Sequence, residues 1–238
     1  MEPLQPHGTP PGTIGKHGVR YGVSLRATDN SISMVTLAKR AEEMGFESVW
    51  LPKHTLPLKL EREIVDPEVY RHSVDQLIAL AAAAGATSTI RLGTGVLLVP
   101  EHHPVRLARE IATLDFISGG RFQLGVGTGY VKEELEMFGV DIEHRWTQTR
   151  EILEAMKALW AEGSAEYHGR YVNIPEMDMR PKPAQRPARP DLPRLTQSQR
   201  LRAHRAARRR LDPARVGHRR AVPQWPQGTR PPRDRGRA

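Results

Sequence analysis

The sequence predicts a parallel α/β fold, and three observations carry that prediction. Residues 89–130 read as one complete strand, helix, strand unit with glycine-rich strand ends. The order strand then helix recurs four times between residues 21 and 160, the pattern of a parallel sheet covered by helices. The apolar run in that unit is also too continuous for a half-exposed strand, as expected where both faces of a sheet are covered.

The elements follow in order. Residues 21–25 give a short first strand. The helix at 33–44 places Val35, Leu37, Ala38, Ala41 and Met44 on one stripe, and Gly45 stops it as a C-terminal cap. A second strand at 48–51 ends where Pro52-Lys53-His54-Thr55 leaves the sheet. After a loop to about residue 71, an alanine-rich helix at 74–84 ends at Gly85. Residues 90–99, rich in leucine and β-branched side chains, form a buried parallel strand. Pro104 suits the first turn of the next helix, where its missing N–H costs nothing. Val105, Ala108, Ile111, Ala112 and Leu114 continue that helix with apolar period, and Ser118-Gly119-Gly120 terminates it. Residues 121–126 resume as a strand and run into Gly125-Val126-Gly127-Thr128-Gly129. Two parallel strands joined by a helix make a right-handed βαβ unit, and such sheets bind ligands at the carboxyl ends of their strands. Helices at 133–138 and 145–160 and a small hairpin at 167–172 complete the series.

Composition divides the 238 residues unevenly. Residues 181–238 hold 17 of the 36 Lys and Arg, 3 of the 27 Asp and Glu and ten of the 20 prolines, with no Ile, Phe, Tyr or Met. That segment carries +14, so the remaining 180 residues carry −5 and the net charge of +9 belongs to the tail. A tail of this kind buries too little apolar surface to offset its ordering entropy and is expected to be disordered. The expected division is a flexible lead at 1–18, a body at 19–180 and the Pro/Arg-rich tail at 181–238. The absence of cysteine excludes disulfides and thiolate ligands or nucleophiles and is compatible with a reducing cytoplasm. No run approaches the ~20 apolar residues of a membrane span, so a soluble, cytoplasmic protein is expected.

Four segments together carry a resemblance to the bacterial luciferase-like monooxygenase superfamily, and within it to the oxidoreductases that use coenzyme F420. They are SVWLPKHT at 48–55, the stretch from DQLIALAAAAGATSTIRLGTGVLLVP to GGRFQLGVGTGY over 75–130, FGVDIEHRWTQTREILEAMKALW at 138–160, and RPKPAQRPARP at 180–190. The resemblance implies a (β/α)8 TIM barrel, here truncated to about its first half. It also implies a deazaflavin, or alternatively FMN, at the strand carboxyl ends, with hydride transfer to or from a small organic substrate. After Pro190 the expected fifth strand and later segments of the family are not found, and the Arg/Pro-rich sequence reads like a GC-rich gene out of frame. A frameshift near residue 190 is therefore expected, and resequencing the gene checks it. The phosphate-binding part of such barrels usually sits on the late strands.

His54 directly follows the second strand, where a barrel places site residues, and it matches a histidine common in the family. It is the candidate catalytic group, able to hydrogen-bond a cofactor ring or relay a proton. The resemblance assigns Thr94, Gly95 and Val96 to a bulge against the cofactor ring, where family members often hold a strained peptide bond. Gly125, Gly127, Thr128 and Gly129 are the second cofactor-binding group, since glycine lets backbone approach a ligand closely. They lack a clear G-x-G-x-x-G followed by an acid ~20 residues on, which disfavours a dinucleotide fold. Glu101, His102 and His103 invite a metal reading, but adjacent loop residues are a weak ligand signature and the start of a helix is the default role. Asp115 and Arg121 flank a helix stop and are expected to make structural contacts, while Arg145 resembles a family arginine. No Ser-His-Asp set or catalytic carboxylate pair is evident in the sequence.

The competing class is a nucleic-acid-binding protein acting through phosphate neutralisation by the tail. Trp225 is the tail's one aromatic residue, so stacking recognition is disfavoured. The unpaired edges of a half-barrel also invite aggregation or pairing into a homodimer.

Overall fold

The computed structural model describes residues 20–56 and 70–185. Its centre is a four-stranded parallel sheet in the order β1 (Gly22–Ser24), β2 (Ser48–Leu51), β3 (Arg91–Thr94), β5 (Phe122–Gln123). Helices α1 (Met34–Glu43), α2 (Gln76–Gly85) and α3 (Pro104–Ile117) connect successive strands. Two strands β4 (Leu97–Leu98) and β6 (Val126–Gly127) pair in parallel beyond the carboxyl ends of β3 and β5. Short α4 (Lys132–Met137) and long α5 (Arg145–Trp160) follow, then an antiparallel hairpin of β7 (Ala165–His168) and β8 (Asn173–Met177). This is the strand and helix order of the first half of a TIM barrel.

The sheet has two chemically different faces. Val49, Leu92 and Phe122 share one row across the strands and are buried. The buried residues of the neighbouring helices, Ala38 and Ala41, Leu80 and Ala83, Leu107 and Ile111, supply the apolar partner surface. The next row is Ser24, Trp50, Gly93 and Gln123, the side that faces a barrel interior. Trp50 lies across Gly93 so closely that a Cβ there would sit 2.3 Å from the indole ring, so this row holds a large side chain because its neighbour has none.

Helix ends follow their local chemistry. Ser33 caps α1 by accepting from Thr36 N, and Asp75 caps α2 by accepting from Ile78 N. Gly45 follows α1 with a φ of 78°. Pro104 stands at the start of α3 as its sequence position requires. Three expected boundaries are corrected. The strand expected over 90–99 is interrupted at Gly95–Val96, which form a cis peptide, and its remainder is β4. The strand expected over 121–126 likewise divides into β5 and β6, because their partners β3 and β4 are themselves separate. Gly85 is the last residue of α2 rather than its stop, with Ala86 as the cap.

Polar side chains tie the elements together where the sheet is not yet apolar. The buried Arg121 guanidinium donates to the carbonyls of Ala84, Thr87, Ile90 and Ser118 and to the Thr87 hydroxyl at 2.7–3.0 Å. It thereby satisfies carbonyls at the end of α2 and the turn into β3. Burial lowers its pKa while the Glu42 charge opposes that shift. The Glu42 carboxylate in turn accepts from Ser88 N, Thr89 N, the Thr89 hydroxyl and Ile90 N. Burial would raise its pKa, but these bonds outweigh burial and hold it below the ordinary value. Glu151 on α5 is buried and accepts from Tyr171 N and Val172 N, which fastens the β7–β8 turn to that helix. Asp115 accepts from Gln185 N and Nε2, while Gln185 Nε2 also donates to the Phe122 carbonyl. Asp115 and Arg121 thus make the structural contacts expected of them. The lead at 1–18 and the tail beyond residue 185 lie outside the described residues.

Candidate active site

Two groups of residues lie at the carboxyl ends of the strands. The first is backbone. After β3 the chain exposes Gly95 and Val96, with Val96 41% accessible although its neighbours Thr94 and Leu97 are buried. Gly125 lies beside them, and a Cβ on it would fall 2.1 Å from the Thr94 carbonyl oxygen, so no larger residue fits. The Thr94 hydroxyl donates to the Gly125 carbonyl and accepts from Gly125 N at 2.8 and 2.9 Å. Leu97 N donates to the same carbonyl. These bonds hold the two strand ends in register and commit the Thr94 side chain to the protein, leaving backbone as the exposed surface. Gly127 abuts the Val96 side chain, while Thr128 and Gly129 continue toward the half-exposed Tyr130.

The second group surrounds His54. Its Nδ1 lies 2.8 Å from Glu134 Oε2, and Thr55 N donates to the other carboxylate oxygen. Glu134 is fully buried on α4, with the imidazole 15% exposed. The rings of Tyr70 and Tyr130 meet the imidazole edge-on at centroid distances of 5.0 and 5.5 Å. Arg26 donates to the Tyr70 hydroxyl. A carboxylate at Nδ1 fixes the proton there, so Nε2 is the nitrogen left to exchange a proton.

Glu101 stands near this pair. Burial pushes its carboxyl up to about 8, the Glu134 charge adds to that effect, and Lys53 opposes it. Its Oε1 has no hydrogen-bond partner. His102 is shifted the other way, lowered by burial and by Lys53. Among the described residues no group of three or more His, Asp or Glu is placed to hold a metal ion. His103 is the N-cap of α3 and makes no capping bond with its side chain.

The raised Glu101 value has a direct consequence. The folded protein holds this proton between the ordinary carboxyl value of 4.5 and about 8, where the unfolded chain has lost it, so stability falls as pH rises through that window. Glu101→Gln is expected to remove that slope and to exceed the native chain in stability at pH 8 by ~1–3 kcal/mol. Urea unfolding at pH 5 and pH 8 measures the difference, and equal slopes in both proteins contradict it.

Sequence reasoning selected His54 and both glycine groups but missed Glu134, Tyr70 and the approach of Glu101. Only the position of Glu134, four residues after Tyr130 at the start of a helix, offered a signal. Arg145 begins α5 and donates to the Ile142 carbonyl, while its Nε is buried without a partner. A groove of about 700 Å³ bordered by Lys53, Ile78, Glu101, Arg106 and Ile117 runs along α2 and α3, outside the sheet.

The family model for luciferase-like monooxygenases matches residues 17–221. The chain belongs to that family. The match runs past Pro190, where the sequence reading placed a break. Relatives of this luciferase-like chain include the uncharacterized protein Rv0953c of Mycobacterium tuberculosis, 40% identical over 177 residues that cover 70% of this chain and 62% of that protein. An F420-dependent glucose-6-phosphate dehydrogenase of Kineococcus radiotolerans is 31% identical, covering 72% and 50%. The oxygenase component of the flavin-dependent trigonelline monooxygenase of Acinetobacter baylyi is 30% identical, covering 66% and 41%. The crystal structure of monooxygenase RslO1 from Streptomyces bottropensis superposes with a TM-score of 0.62 at 30% identity, over 71% of this chain and 51% of that one. This luciferase-like chain therefore spans about half the length of the solved structure. Relatives of both deazaflavin and flavin type stand among its matches, and the TIM-barrel fold is common to them. No helix among the described residues is long and apolar enough to cross a membrane.

Proposed function

We propose that this chain carries one wall of the active site of an F420-dependent oxidoreductase, which transfers a hydride between the deazaflavin and a small organic substrate. The observation that carries the reading is that the exposed residues Gly95–Val96 and the His54–Glu134 pair both stand beyond the carboxyl ends of the adjacent strands β3 and β2. A planar ring system fits such a surface. Gly95 presents no side chain, and the glycines at 125, 127 and 129 keep the adjoining strand end low. The bound ring supplies two-electron hydride chemistry, and the protein's own part is position and electrostatics.

In this reading Gly95, Val96, Gly125, Gly127, Thr128 and Gly129 line the ring, and Thr94 fixes that lining from behind. His54 acts as the acid or base toward the substrate through Nε2, while Glu134 holds Nδ1 and orients the ring. Tyr70 and Tyr130 shield the imidazole from water. An FMN-dependent monooxygenase is the alternative within the same site, supported by the flavin-dependent relative.

Absorbance titrations with coenzyme F420 and with FMN separate the two. Saturable binding of F420, with FMN at least tenfold weaker, is the expected result. The reverse order selects the monooxygenase, and saturation by neither overturns the enzymatic reading for this chain.

A further inference from the structure

We infer that Gln76 is a positioning residue that clamps the exposed Gly95–Val96 peptide to the end of β2. The inference rests on the reading of that peptide as the cofactor wall, and it adds a residue that neither the sequence pattern nor the proposed mechanism uses.

Gln76 is the first residue of α2 and is 1% exposed. Its Nε2 donates to the Leu51 carbonyl, the last of β2, and reaches the Val96 carbonyl at 3.4 Å. The Leu51 carbonyl also accepts from Gly95 N at 3.0 Å. One amide group and one carbonyl thus join β2 to both residues of the exposed peptide. The orientation of the amide is unambiguous, because both neighbours are acceptors and only the NH2 side can face them. Its Oε1 is then left buried with no partner, a cost of ~1–3 kcal/mol.

The first position of a helix needs no such residue. Proline or a small apolar side chain serves there, since the N–H groups of the first turn have no partner inside the helix, and the Asp75 side chain already caps this one. A buried glutamine kept with half of its amide unsatisfied is accounted for by what the other half does. Two donor hydrogens on one planar group span two carbonyls that no backbone group of the sheet reaches together, because β3 is interrupted between Thr94 and Leu97.

Two variants test the clamp. Gln76→Leu keeps the volume and removes the donors. Gln76→Glu keeps the shape and puts a carboxylate against two carbonyls, but regains a donor O–H when protonated. Hydrogen exchange by mass spectrometry on the full chain without cofactor is expected to show faster exchange over 92–99 in Gln76→Leu, with α5 protected as in the native protein. Cofactor titration is expected to show about tenfold weaker binding for Gln76→Leu. Gln76→Glu is expected to match that loss at pH 8 and to recover toward native affinity as pH falls to 5, measured against the native protein's own profile. A purely structural role for the side chain predicts no such recovery. Native exchange rates over 92–99 in Gln76→Leu, or a Gln76→Glu affinity that tracks the native protein at every pH, overturns the clamp. If the native chain binds neither cofactor, the wall reading fails while the exchange result still decides the clamp.

Discussion

Arg121→Ala is expected to lower the unfolding free energy by ~3–5 kcal/mol, a large part of the total for a domain of this size. The guanidinium donates to four carbonyls and one hydroxyl inside the protein. Alanine removes the Arg121 donors from these buried acceptors, at ~1–3 kcal/mol for each one left unpaired before relaxation admits water, while the Thr87 hydroxyl keeps its bond to the Ala83 carbonyl. The Glu42 carboxylate, whose charge opposes the effect of burial on Arg121, also loses a compensating cation. Arg121→Lys is expected to recover only part of the loss, since an ammonium has three donors on a point where five lie in a planar fork. Urea denaturation followed by circular dichroism checks both. A change below 1 kcal/mol for the alanine variant contradicts this account of how α2, β3 and β5 are joined.

His54→Asn carries the largest expected effect on chemistry, a fall in turnover of about 10²–10⁴-fold. Asparagine is chosen because its side-chain amide can still donate to Glu134, so the buried carboxylate keeps a partner and the fold is spared. The variant cannot exchange a proton at the position of Nε2. Cofactor affinity and the midpoint of thermal unfolding are expected to stay close to native, so the loss falls on kcat and not on KM. The measurement is oxidation or reduction of whichever cofactor the titration selects, followed by absorbance with a panel of small alcohols and carbonyl compounds. Turnover within tenfold of native removes His54 as the acid or base and leaves the backbone wall standing.

The sequence made several elements legible because their signals are local. Pro104 and Ser118-Gly119-Gly120 bracket α3, the run at 48–51 needs only its own composition to read as a strand, and α5 spans residues 145–160 as its apolar period indicates. Strand limits were less legible, since a strand is defined by its partner. The run 90–99 is mostly apolar, with Arg91 and Thr94 its polar members, yet its pairing passes from β2 and β5 to β6 midway. The interruption falls at Gly95–Val96, directly after Thr94, with no proline or charged residue to mark it. At the candidate site, the residues found were those adjoining strand ends. Glu134 lies 80 positions from His54, and a fully buried glutamate in the charged run Lys132-Glu133-Glu134 reads as a solvated side chain until the fold places it.

Periodicity, glycine and proline punctuation and the recurring strand and helix order were enough to determine a parallel α/β chain and to point to the carboxyl end of its sheet as the place for the candidate site. They also placed His54 and the glycines at that end, because each follows a strand directly. The tertiary structure alone decided which side chains stand behind them: Glu134 on the imidazole, Glu101 with its carboxyl pushed up by burial and by the Glu134 charge, and Gln76 across the ends of two strands. Local patterns report the free energy of ordering a segment, whereas a buried hydrogen bond or a shifted pKa depends on the water and charges that other segments remove or supply.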